Sequence, residues 1–143
     1  MARTISAYHA PRDSWLERVR AALGAYLAGV CARPEAARAY LLQPPYPAAG
    51  AEGRRERAIA LLETTIAEML RDLPGSERLD WVTVTGIAGG IARVVERRLR
   101  EGRAHELPEL LQPMLAWALT QLPEYARPAE IAPPFDASTL VVT

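Results

Sequence analysis

The sequence predicts an all-α protein, an antiparallel bundle of about five helices. Two observations point there. Apolar residues recur every three or four positions over most of the chain, which is helical rather than strand spacing. Proline and glycine clusters fall mainly between these periodic runs, where they punctuate helices. No strand alternation and no internal repeat stands out before the last few residues.

Residues 1–12 carry no decisive pattern, and Pro11 ends whatever precedes it. Ser14-Trp-Leu-Glu17 fits a capping box, in which a serine oxygen takes an orphan N–H and a glutamate three residues later returns the bond. Trp15, Val19, Ala22 and Tyr26, with Leu16, Leu23, Leu27 and Val30, then predict a helix over 14–31. Pro34 sits where a first-turn proline is tolerated and opens a short helix, PEAARAYLL. QPPYPAAG (43–50) is a loop. Over about 53–73, Ala58, Leu62, Thr65, Met69 and Ile59, Ile66, Leu70, Leu73 form one wide apolar face, ended by Pro74-Gly75.

Asp80 is placed to cap a helix that stops at Gly102. Leu107, Leu110, Leu111, Met114, Leu115, Ala118 and Leu122 predict the last helix, over 107–122. Pro108 is acceptable at its start, and Pro113 is expected to bend its second turn. Residues 1–122 thus read as one helical domain. The tail 123–143, with four prolines, is expected to be extended, and STLVVT at its end to be a strand or disordered.

At 143 residues the chain can bury a core without metal or disulfide. Its 17 arginines balance 17 acidic residues, so no dedicated nucleic-acid surface is expected. The absence of lysine reads as codon bias. Cys31 is the single cysteine, which rules out an internal disulfide and reads as a small buried hydrophobe. No signal-peptide core or membrane-length apolar run is present, and the expected location is the cytoplasm.

The helix over 80–101 raises a question. Gly86, Gly89 and Gly90 lie within it, and each costs about 1 kcal/mol relative to alanine. On a helical wheel Val84, Ile87, Ala88, Ile91, Val94, Val95 and Leu99 fill one broad side, and Gly86 and Gly90 lie nearly opposite. Three readings fit: close approach of another helix, within or between chains; space for a small ligand; or a bend. A phosphate loop is excluded, because no lysine follows and the glycines sit inside a helix pattern.

GIAGGIARVVERRLREGRAHELPELLQPMLAWAL resembles the penultimate and last helices of TetR-type transcriptional regulators. SWLERVRAALGAYLAGVCARPEAARAYLL is similar to that family's first effector-domain helix and the short helix after it. The resemblance covers roughly residues 12–122 and rests on the order and length of helices. No segment resembles the family's N-terminal helix-turn-helix. The resemblance therefore implies only the effector-binding and dimerisation half of such a regulator, with no direct DNA binding by this chain. It implies that the last two helices of each subunit form a dimeric four-helix bundle, with Gly86, Gly90, Leu111, Met114, Trp117 and Ala118 as interface candidates. It also implies a pocket for a small, largely apolar effector among the helices ahead of that bundle. Polar, aromatic and adjoining residues on otherwise apolar faces make Tyr26, Tyr40, Thr65, Met69, Thr83 and Ile87 its candidates, each with core packing as the plainer alternative. The competing function is a purely structural dimerisation module without a ligand.

Catalytic and metal chemistry find no footing. His9 and His105 stand alone, with no clustered ligands. No nucleophile elbow is present, and Ser76 reads as a turn serine. Glu63 and Glu68 are five apart and do not share a helix face. No cofactor is expected. The arginines at 54, 55 and 57, and at 97, 98 and 100, read as solvated faces and helix-end charges.

Overall fold

The computed structural model describes residues 1–42 and 53–128. Among these there are six α-helices and no strand: α1 (Ala2–His9), α2 (Trp15–Ala32), α3 (Pro34–Leu41), α4 (Arg54–Leu70), α5 (Trp81–Arg100) and α6 (Leu111–Thr120). Short 3-10 segments cover Ser76–Arg78, Ala104–Leu110 and Glu124–Ala126. The loop expected at 43–50 and the ending 138–143 lie outside the described residues.

Local signals set most boundaries. The Ser14 hydroxyl accepts from the Glu17 N–H at 3.2 Å and opens α2. Pro34 occupies the first turn of α3. The Asp80 carboxylate accepts from the Val82 N–H at 3.1 Å and opens α5. Gly102, at φ +68°, takes the left-handed conformation that stops it. Ser76 is a turn serine, its hydroxyl donating to the Arg71 carbonyl at 3.3 Å.

Three stretches differ from expectation. The undecided N-terminus is a full helix, α1, packed along α2. Its anchor is distant in sequence: the Tyr8 hydroxyl donates to Asp72 and to the Met69 carbonyl at the end of α4. Before α6, residues 104–110 coil as a 3-10 helix that contains Pro108. Pro113 consequently falls in the first turn of α6, where its N–H would lack a partner anyway, and the expected bend has no cause. Finally, the tail is not extended from 123. Glu124–Ala126 forms a 3-10 turn that docks on the turn after α4. There the Tyr125 hydroxyl donates to the Arg78 carbonyl at 2.9 Å, and the Arg78 guanidinium lies 4.1 Å over the Tyr125 ring. Gly75 makes room for this docking. Its φ is +83°, and a Cβ there would stand 2.7 Å from the Tyr125 carbonyl oxygen.

The core forms around α5, which buries Ile87, Ala88, Ile91, Ala92, Val95 and Leu99. Leu27 and Val30 of α2, Leu62 and Leu70 of α4, Leu107 and Met114 close over it. Among the described residues no helix is long and apolar enough to cross a membrane.

Candidate functional site: an apolar recess beside the central helix

Four of the six expected ligand residues meet in one place. Tyr26 of α2, Thr65 and Met69 of α4 and Ile87 of α5 line a recess of about 80 Å³, whose exposed walls are apolar. The helical period explains the convergence: Thr65 and Met69 are four apart on the inward face of α4, and Ile87 is on the buried side of α5. Thr65 brings no free polar group, because its hydroxyl donates to the Leu61 carbonyl at 2.8 Å. The Tyr26 hydroxyl has no hydrogen-bond partner among the described residues. Burial first, and the Glu96 carboxylate second, push it up to about 12.

The other two candidates lie elsewhere. Thr83 is half-buried in the first turn of α5 and does not reach the recess. Tyr40 is 58% exposed and borders a separate groove between α1, α2 and α3. In its place the recess gains Trp15, Leu115 and Ala118. The Trp15 indole N–H donates to the Met69 carbonyl at 2.8 Å, which holds the ring against the end of α4.

The expected interface residues are mostly engaged within their own chain. Met114 is buried in the core, and Leu111 approaches Gly24 of α2. Ala118 lines the recess. Trp117 lies across Gly90 so tightly that a Cβ there would stand 2.2 Å from the ring. Gly90 therefore receives a ring from its own α6, not another backbone. Gly86 alone of the six is exposed with open space around it, and Gly89 shares that condition.

One group that the sequence disguised is Glu96. Within ARVVERRLRE it reads as part of a charged face, yet it is fully buried. The Arg55 Nε donates to Glu96 Oε1 at 2.6 Å, while Arg100 and Arg93 approach Oε2 at 3.5 and 3.8 Å. Arg55 is thus not a solvated helix-end charge. It bridges α4 to α5 over 41 residues of sequence. The arginine-rich end of α5 was the available signal, since a buried carboxylate needs paired cations.

Among the described residues no three His, Cys, Asp or Glu side chains are placed to hold a metal. His9 lies edge-on to Tyr8, and His105 stands at the surface beside Glu106. No protein-family model, curated protein or solved structure matches this chain.

Proposed function

We propose that this chain is a ligand-sensing helical domain of the kind found in the effector-binding half of TetR-type regulators. It takes a small, largely apolar molecule and pairs with a second copy of itself. The observation that carries this reading is the convergence of Tyr26, Thr65, Met69 and Ile87 on an apolar recess between α2, α4, α5 and α6. Ligand sites are mostly apolar with few polar groups, and this recess has that character. A ligand that binds one arrangement of the helices better than another shifts their balance, which is how such a domain signals. In this reading the chain senses and pairs but does not touch DNA or carry out a reaction.

A second reading, a structural dimerisation module without ligand, draws on the open face of α5. Val82 is 57% exposed, and Gly86 and Gly89 beside it leave a smooth, uncovered surface. Both readings place the second copy there.

Native mass spectrometry of the freshly purified protein tests the two together. A dimer carrying extra mass, or one whose thermal transition rises with an apolar ligand, supports the sensor. Saturation a hundredfold above Kd stabilises by about 2.7 kcal/mol. A dimer that no ligand stabilises leaves the structural module. A bare monomer across micromolar concentrations removes both.

A further inference from the structure

The recess is small for the task assigned to it. Its roughly 80 Å³ lies below the ~150 Å³ of an apolar cavity that admits benzene. It adjoins a larger space, however. A groove of about 420 Å³ runs between α1, α2 and α3, and both Thr4 and Tyr26 line groove and recess alike. Taken together the two spaces reach the ~300–1,000 Å³ usual for ligand sites.

The two spaces differ in chemistry. The recess is apolar. The groove has an apolar floor of Ala25, Gly29, Val30 and Ala37, and Arg3 and Arg33 at its edges. Both arginines are exposed. Neither guanidinium has an ion pair or hydrogen bond among the described residues. Many other arginines of the chain are engaged: Arg18, Arg55, Arg98 and Arg103 all hold carboxylates. Gly29 faces open space in the groove: a Cβ there would meet nothing within 4 Å. Tyr26 stands at the junction and lines both spaces, and its hydroxyl has no hydrogen-bond partner among the described residues.

We propose that groove and recess form one bipartite site for a single-chain amphiphile with an anionic head. The chain follows the apolar floor of the groove, and only its tip enters the recess against Ile87 and Met69. The head rests in the groove, paired by Arg3 and Arg33. Guanidinium groups suit a carboxylate because they donate in a planar fork. This rests on the sensor reading above and sharpens it from an apolar ligand to a charged, chain-bearing one.

Calorimetric titration of the intact chain at pH 7, below micellar concentrations, compares three probes: decanoate, decanol and acetate. The expected result is decanoate binding more than tenfold tighter than decanol, with acetate silent. Arg3→Gln with Arg33→Gln should erase the advantage of decanoate and leave decanol unchanged. Gly29→Leu should weaken decanoate while its thermal transition stays at or above that of the parent, because leucine is the better helix former. Equal binding of decanoate and decanol, unaffected by the arginine substitutions, overturns the bipartite site but leaves the sensor reading standing. Binding of neither chain overturns both. Acetate binding as tightly as decanoate also overturns the proposal, since the recess then contributes nothing.

Discussion

The two halves of α5 are built on opposite plans. Its N-terminal half leaves Trp81, Val82, Gly86 and Gly89 uncovered. Its C-terminal half buries Val95, Glu96 and Leu99, with arginines gathered over the carboxylate. Gly90 stands at the boundary, one turn from Gly86 and in contrary surroundings. An indole fills the place of its absent side chain, while Gly86 faces open space. The same residue type thus answers two different demands within one turn. At Gly90 the cost in helix propensity is offset by ring packing inside the chain. At Gly86 and Gly89 nothing among the described residues offsets it, and a second copy is proposed for that face.

The comparison breaks most severely at the C-terminal half. Arg55→Ala leaves Glu96 buried without its closest partner. Losing one member of a buried pair costs about 3–5 kcal/mol. Because Arg93 and Arg100 remain and Arg55 is itself partly exposed, the expected loss is about 2–3 kcal/mol in urea unfolding. Glu96→Met should cost less than Arg55→Ala, because partly exposed guanidinium groups regain water whereas a buried carboxylate does not. The reverse order would mean that the carboxylate is better hydrated than its burial indicates.

Gly90→Ala probes the boundary. Overpacking costs about 1–3 kcal/mol, and the gain in helix propensity returns about 1, so a net loss of about 1 kcal/mol is expected. A shift in tryptophan emission should accompany it as the Trp117 ring is displaced. In the N-terminal half the sign reverses. Gly86→Ala and Gly89→Ala should each stabilise the isolated chain by about 0.5–1 kcal/mol. If a second copy packs closely there, the same substitutions weaken the dimer in analytical ultracentrifugation. Stabilisation with unchanged association would remove that face from the interface.

The last effect is confined to alkaline pH. Tyr26 titrates near 12 in the folded chain and near 10 unfolded. The folded state therefore holds its proton longer, so this contribution to stability is intact below about pH 10 and is lost as pH rises toward 12. Tyr26→Phe should flatten the stability profile in that window and change little at pH 7. Tyr8, raised by burial and by its bond to Asp72, adds a loss of the same sign, so the Tyr26→Phe profile should be flatter but not flat.

What was legible follows from the range of each interaction. Ser14, Pro34, Asp80 and Gly102 act on neighbours a few residues away, and each sets its helix end as its type predicts. The inward faces of α2, α4 and α5 were legible from periodicity, and with them most of the recess. Glu96 was not, because Arg55 reaches it from another helix. The helical N-terminus was not, because the bond from Tyr8 to Asp72 spans 64 residues. Tyr40 illustrates the remaining gap. Periodicity tells which residues share a face but not which cavity that face borders, and Tyr40 belongs to the groove.

The three tryptophans sit in three unlike surroundings, and this gives the molecule built-in optical reporters. Trp15 edges the recess, Trp117 lies over Gly90, and Trp81 is 72% exposed at the tip of α5. A single-tryptophan set, with the other two changed to phenylalanine, would separate their signals. Occupancy of the recess should register at Trp15, slippage of α6 along α5 at Trp117, and arrival of a second copy at Trp81. Filling, signalling and pairing would then be timed separately in one stopped-flow trace per variant, without any attached dye.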